Sequence, residues 1–209
     1  MPASALRLLE TVLEPLATRV QPGRVIELSG GSEGSGANAR TSTAVSILRG
    51  VQFEGETTAW IQPHGGALYP PDLRDAGIDL DALVVVHIPA GPQRSHALCK
   101  AAELLLRSAA FGLVVVDLVE TPPTGPAVSA WLGRMLGLAR QHDGRVVLLT
   151  EKPSHADSVG TLVGLRIESH RHRDASGSFV VEHQVIKNKS GAPFDVACDH
   201  YRGPDGLLP

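Results

Sequence analysis

The stretch GRVIELSGGSEGSGANARTS, Gly23 to Ser42, decides how the rest of the chain is read. Arg24–Leu28 (RVIEL) reads as a strand. A Gly/Ser-rich turn follows from Ser29 to Gly36, and helical character resumes near Thr41 and ends by Gly50. Strand, glycine turn and helix in that order are the setting of a phosphate-binding loop. That chemistry needs small residues so that backbone N–H groups can surround phosphates, a Lys for the terminal phosphates, and a Ser or Thr for Mg²⁺. Here Gly31 and Gly36 have the required spacing, with Gly34 between them, but the Lys position holds Ala37 and the Ser/Thr position holds Asn38. Arg40-Thr41 lies too far along to replace them without a longer loop, and a planar guanidinium does not substitute for a compact ammonium. The loop therefore reads as a degenerate nucleotide site, a strand-to-helix turn with no cofactor.

Outward from this turn the chain alternates. Leu6, Leu9, Leu13, Leu16 and Val20 predict an amphipathic helix over Ala3–Arg19, closed by Pro22-Gly23. Strands are predicted at Thr57–Gln62, Leu83–His87, Phe111–Leu118 and Arg145–Thr150. Between them come a short helix from Pro70 to Gly77 and longer helices at Arg94–Ser108 and Ala127–Gln141. Phe111–Leu118 is apolar almost throughout, as expected when helices cover both faces of a sheet. This rhythm implies a doubly wound, mostly parallel α/β sheet flanked by helices. After Pro153 the pattern becomes strand after strand, at Leu162–His170, Ser178–Lys187 and Phe194–Tyr201, which predicts antiparallel strands added at the C-terminal edge.

The 209 residues fit one domain, taken as 1–203 with a loose tail at 204–209. Lys and Arg number 19 against 22 Asp and Glu, a net charge of −3, so the surface as a whole does not advertise nucleic-acid binding. Two cysteines, Cys99 and Cys198, make no disulfide framework and suit a reducing cytoplasm. No apolar run is long enough for a membrane span, and no secretory leader is read at the N-terminus.

From Gly23 to about Tyr201 the chain resembles the RecA recombinase family, in order. GRVIELSGGSEGSG resembles the family's strand and phosphate loop, and TAWIQPHGGALYP (Thr58–Pro70) the strand and loop that carry its catalytic glutamate. DLRDAGIDLDALVVVHIP (Asp72–Pro89) follows the next helix and strand. FGLVVVDL resembles the Walker B strand, with Asp117 at its acidic position, and VIKNKSGAPFDVA (Val185–Ala197) resembles a lysine-containing stretch. The phrase AWIQPHGGALYPPDLRDAGIDLDALVVV is similar to the ImuA-type accessory proteins, RecA-like factors encoded with ImuB and an error-prone polymerase. The resemblance implies a RecA-like fold. It also locates what is missing: the glutamate is replaced near Pro63-His64, and the phosphate-sensing glutamine by Thr150 or Glu151. No counterpart of the family's N-terminal polymerisation arm or C-terminal domain is read. Asp117 also has a simpler use, as a cap on the turn that follows it.

The resemblance implies a non-catalytic regulator of the DNA-damage (SOS) response and translesion synthesis, with RecA or an ImuB-type protein as its partner. Lys187 and Lys189 match lysines that in the family reach the neighbouring protomer's nucleotide; they are candidate partner contacts, or else solvated lysines at a strand end. The loops that bind single-stranded DNA in RecA correspond to Val119–Pro126 and Glu151–Asp157. They hold Glu120, Glu151 and Asp157 against one Lys152 and have no aromatic residue for stacking bases. The best basic cluster is Arg166, Arg171 and Arg173 near a hairpin end, a candidate contact to DNA or phosphate, or a solvated tip. His170 and His172 share a strand face but have no ligand-spaced partners for a metal. No Gly-x-Ser-x-Gly nucleophile elbow followed by a suitable acid and His is evident. The alternatives are a divergent ATPase using Arg40-Thr41 and Asp117, and a DNA-binding module of DNA repair.

Overall fold

The computed structural model describes residues 16–30, 37–66, 68–175, 178–191 and 198–201. Gly31, Gly34, Gly36, most of the expected first helix, the Pro193-Phe194 pair and the tail lie outside the described residues. Six strands run parallel: β1 (Arg24–Ser29), β3 (Thr58–Pro63), β4 (Leu83–Ile88), β5 (Leu113–Asp117), β6 (Arg145–Thr150) and β7 (Leu165–Arg173). Two more, β8 (Phe179–Asn188) and β9 (Asp199–Tyr201), are antiparallel, and the order across the sheet is β4-β3-β5-β6-β1-β7-β8-β9. A two-residue strand β2 (Ala37–Asn38) pairs antiparallel with β7. The helices are α1 (Leu16–Arg19), α2 (Arg40–Phe53), α3 (Pro70–Asp75), α4 (Arg94–Arg107) and α5 (Ala127–Gln141).

The period of two along each strand divides its side chains between two apolar layers. Ile26, Leu28, Leu113, Val115, Val147 and Leu149 face α1, α2 and α3, where Leu48, Val51 and Leu73 meet them. Val25, Val114, Val116, Val146 and Leu148 face α4 and α5, against Leu98, Leu106, Trp131 and Met135. Both faces of the central strands are thus dry, which is why β5 and β6 read as unbroken apolar runs. Leu132→Ala, taken from the second layer where Leu132 is fully buried, would cost about 2–5 kcal/mol.

The doubly wound sheet with an antiparallel edge is as expected, with two corrections. The strand after Pro153 begins at Leu165, three residues later than its pattern implied, and pairs in parallel with β1; the antiparallel edge starts only with β8. Ala37 and Asn38, expected between the turn and the next helix, form β2. Their pairing with Arg171 and His170 was invisible because a two-residue strand has no periodicity to read.

Candidate functional site

In an open α/β sheet, ligands are bound in the crevice at the carboxyl ends of the strands. Here that crevice is a cavity of about 230 Å³ lined by Arg40, Thr41, Pro63, His64, Asp117 and Glu120, among others. Arg40 opens α2 and turns its side chain across the strand ends. Its Nη1 donates to the Gly30 carbonyl at 2.9 Å and to the Thr150 carbonyl at 3.3 Å, and Nη2 lies 3.8 Å from the Glu151 carboxylate. One side chain therefore ties the end of β1 to the end of β6. Hydrogen bonds to a charged group contribute about 1.5–3 kcal/mol each, so an incoming anion would have to outcompete an internal network.

Asn38, at the position of the Mg²⁺-binding hydroxyl, has a different task. Its Oδ1 accepts the Arg40 backbone N–H at 2.9 Å, satisfying one of the donors that a helix start leaves open. Its Nδ2 is buried without a partner among the described residues. Ala37 is paired through its backbone with β7.

Asp117 ends β5. Its Oδ1 accepts the Val119 N–H at 3.1 Å, the turn-capping use that the sequence allowed. Burial raises its carboxyl above the ordinary aspartate value, opposed by that hydrogen bond and by Arg40. Thr41 and His64 line the same cavity, so the structure brings together Arg40, Thr41 and Asp117 from the degenerate loop. Charged residues of the 119–126 and 151–157 loops are used locally. Glu120 pairs with Arg94 at 3.5 Å, and Lys152 Nζ donates to the Asp157 carbonyl at 3.1 Å.

Arg166 does not belong to the surface cluster in which the sequence placed it. Only 1% exposed, it donates to Ser29 Oγ at 2.9 Å, to the Pro153 carbonyl at 2.8 Å and to the Ala156 carbonyl. A guanidinium this deep, with three acceptors of its own, is not offered to DNA or phosphate. Its alternation along β7 points it inward, where the sequence counted it with a tip five residues away. Lys187 donates to the Gly160 carbonyl at 3.4 Å, and Lys189 to the Thr161 carbonyl. Burial, then the neighbouring Lys189, lower the Lys187 ammonium below its ordinary value. Both lysines thus lie against the chain's own 158–161 loop.

Arg171 and Arg173 are exposed, and each guanidinium lies over the Phe179 ring, 5.0 and 4.8 Å from its centroid. His170 and His172 instead approach Glu168 at 3.8 Å and Glu182 at 4.0 Å. No group of three or more metal-ligating side chains occurs among the described residues.

Two buried polar arrangements escaped the sequence. Glu27 is fully buried in the middle of β1, accepting from Thr150 Oγ1 at 2.9 Å and from the Val159 N–H at 3.0 Å. The signal was available, since a carboxylate inside a strand covered on both faces must find donors. Ser169 Oγ, His183 and Asp199 form a line across β7, β8 and β9, with contacts of 2.9 and 3.3 Å. The order invites comparison with a hydrolytic relay. However, Ser169 is 1% exposed and the His183 side chain is fully buried, so no substrate carbonyl reaches the hydroxyl. The line fastens β9 to the sheet. No helix among the described residues is long and apolar enough to cross a membrane.

Comparison with known proteins places this geometry. No family model matches the chain. It is 39% identical over 100 residues to the RecA protein of Clostridium acetobutylicum, a match covering 48% of this chain and 26% of that one. It is 32% identical over 97 residues to the RecA protein of Bifidobacterium breve, covering 46% of this chain and 22% of the relative. The chain therefore matches about a quarter of the length of these relatives. Among solved structures, the RadB recombinase superposes with a TM-score of 0.61 over 88% of both chains at 16% identity. The fold is RecA-like.

Proposed function

We propose that the chain is a non-catalytic RecA-like accessory protein of DNA repair, acting in the DNA-damage (SOS) response and translesion synthesis by binding RecA or an ImuB-type polymerase-like partner. One observation carries the non-catalytic part. The crevice where a RecA-like fold would take phosphates is bridged by Arg40, while Asn38 is committed to the start of α2. The kinship with RecA proteins supports DNA repair as the setting. The ImuA-like phrase at Ala59–Val86 supports the narrower role; Lys187 and Lys189, through their match to the lysine-containing stretch of RecA, are the candidate partner contacts. Binding is measured with purified RecA filaments and with an ImuB-type protein at physiological salt. Association with either, weakened by Lys187→Glu together with Lys189→Glu, is expected. Absence of association with both sinks the reading.

A second reading is favoured by a separate observation. Arg171 and Arg173 stacked on Phe179 form a cationic platform with guanidinium edges left for phosphates. On this reading the hairpin contacts DNA directly. A salt-dependent shift of a DNA oligonucleotide that disappears in Arg171→Glu with Arg173→Glu supports it. A shift that survives both changes counts against it.

A further inference from the structure

Between the first halves of α4 and α5 lies a second cleft, of about 390 Å³, within the ~300–1,000 Å³ range of ligand pockets. It shares no lining residue with the Arg40 crevice. Its floor is Trp131, 3% exposed, whose indole N–H donates to the Cys99 carbonyl at 3.2 Å. Val128, Ala127, Pro92 and Pro123 add apolar wall.

The rim is cationic. Glu103 is the one carboxylate in the lining, and it is already held by Arg134 Nε at 3.0 Å and by Arg107 at 2.8 Å. Lys100 is exposed on the same rim, with no hydrogen bond or ion pair among the described residues. One helical turn beyond it, on the same face of α4, Leu104 is 54% exposed. The surface thus presents an apolar slot, surplus positive charge, and a further apolar side chain along one line.

We propose that this cleft docks a partner's peptide segment in which an apolar side chain is flanked by carboxylates. The apolar side chain enters between Val128, Ala127 and Pro92, above the buried Trp131, and the carboxylates meet Lys100 and Arg134. Charge complementarity selects this occupant. Nucleic acid suits the cleft less well, because Trp131 offers almost no exposed ring on which a base could stack. The proposal does not rest on the function proposed above: the two faces are different, and either can fail alone.

The test uses the full chain with Cys198→Ser, which leaves Cys99 in the cleft as the single thiol. The probe is a fluorescein-labelled peptide alternating phenylalanine and glutamate. Saturable anisotropy is expected, together with slower alkylation of Cys99 by iodoacetamide in alkaline buffer when peptide is bound. Lys100→Glu with Arg134→Glu should weaken binding by about tenfold or more, because like charges then face each other across the contact. Lys100→Glu alone, at an exposed side chain, provides a variant whose fold is not at risk and should weaken binding in the same direction. The proposal is overturned if no saturable binding occurs, if a phenylalanine–lysine peptide binds as well, or if charge reversal changes nothing. It is equally overturned if sedimentation shows a dimer that charge reversal dissolves, because the occupant is then a second copy of the chain.

Discussion

Gly30, just past the end of β1, has the Asn38 side chain fitted closely against it. A Cβ there would lie 1.5 Å from Asn38 Nδ2 and 2.6 Å from its Cγ. The amide cannot swing aside freely, because Oδ1 holds the first N–H of α2. Gly30→Ala should therefore destabilise the fold by about 1–3 kcal/mol, as overpacking does. In urea unfolding, adding Asn38→Ala should restore part of that loss, a coupling that a double-mutant cycle would expose. Arg166 is the complementary case, a buried charge satisfied by one hydroxyl and two carbonyls. Arg166→Met keeps the bulk but strands those acceptors, and a loss of about 2–4 kcal/mol is expected from the unfolding midpoint. A loss below half a kcal/mol would mean that water replaces the guanidinium.

Among the elements, α4 and α5 are joined by the Glu103–Arg134 ion pair, with Arg107 of α4 on the same carboxylate. The Arg134 hydrogen bond comes first among the causes that hold the Glu103 carboxyl below its ordinary value of 4.5. A lowered folded-state value means that the contact is fully present above the unfolded value and is lost as pH falls through the lowered one. The stability difference between the native chain and Glu103→Gln should accordingly be constant at neutral pH and shrink in acid below about pH 4.5. A difference that persists unchanged in strong acid, well below that value, would remove the ion pair as its cause. The helices themselves were legible in the sequence. Ala127–Gln141 and Arg145–Thr150 have the bounds the pattern implied, because long periodic segments between clear breakers leave little choice. What could not be read was how far each element reached along its neighbours. β2 exists only through β7, and α2 runs to Phe53, past the Gly50 that seemed to end it, because Val51 is buried against the core. The same limit applies to the site. The loss of the phosphate-loop lysine was legible at Ala37, but that Arg40 bridges Gly30 and Thr150 depends on a contact across 110 residues.

At the scale of the whole molecule, the bridge predicts a chain indifferent to nucleotide. A ligand at 100 times its dissociation constant adds about 2.7 kcal/mol of stability, enough to move a melting temperature by several degrees in a domain of this size. Millimolar Mg·ATP should leave the melting temperature of this protein unchanged. A clear rise, lost in Asp117→Ala, would favour the divergent-ATPase alternative instead. The segment from Glu151 to Gly164 has a further consequence. It is held at Pro153 and Ala156 by Arg166, at Val159 by Glu27, at Gly160 and Thr161 by Lys187 and Lys189, and at Gly164 by Val25. Its conformational entropy is surrendered when the chain folds, before any encounter. A molecule that lands on it meets a surface already in its final shape, so association there should proceed as rigid bodies. Its calorimetric mark would be a heat-capacity change no larger than the contact area itself accounts for.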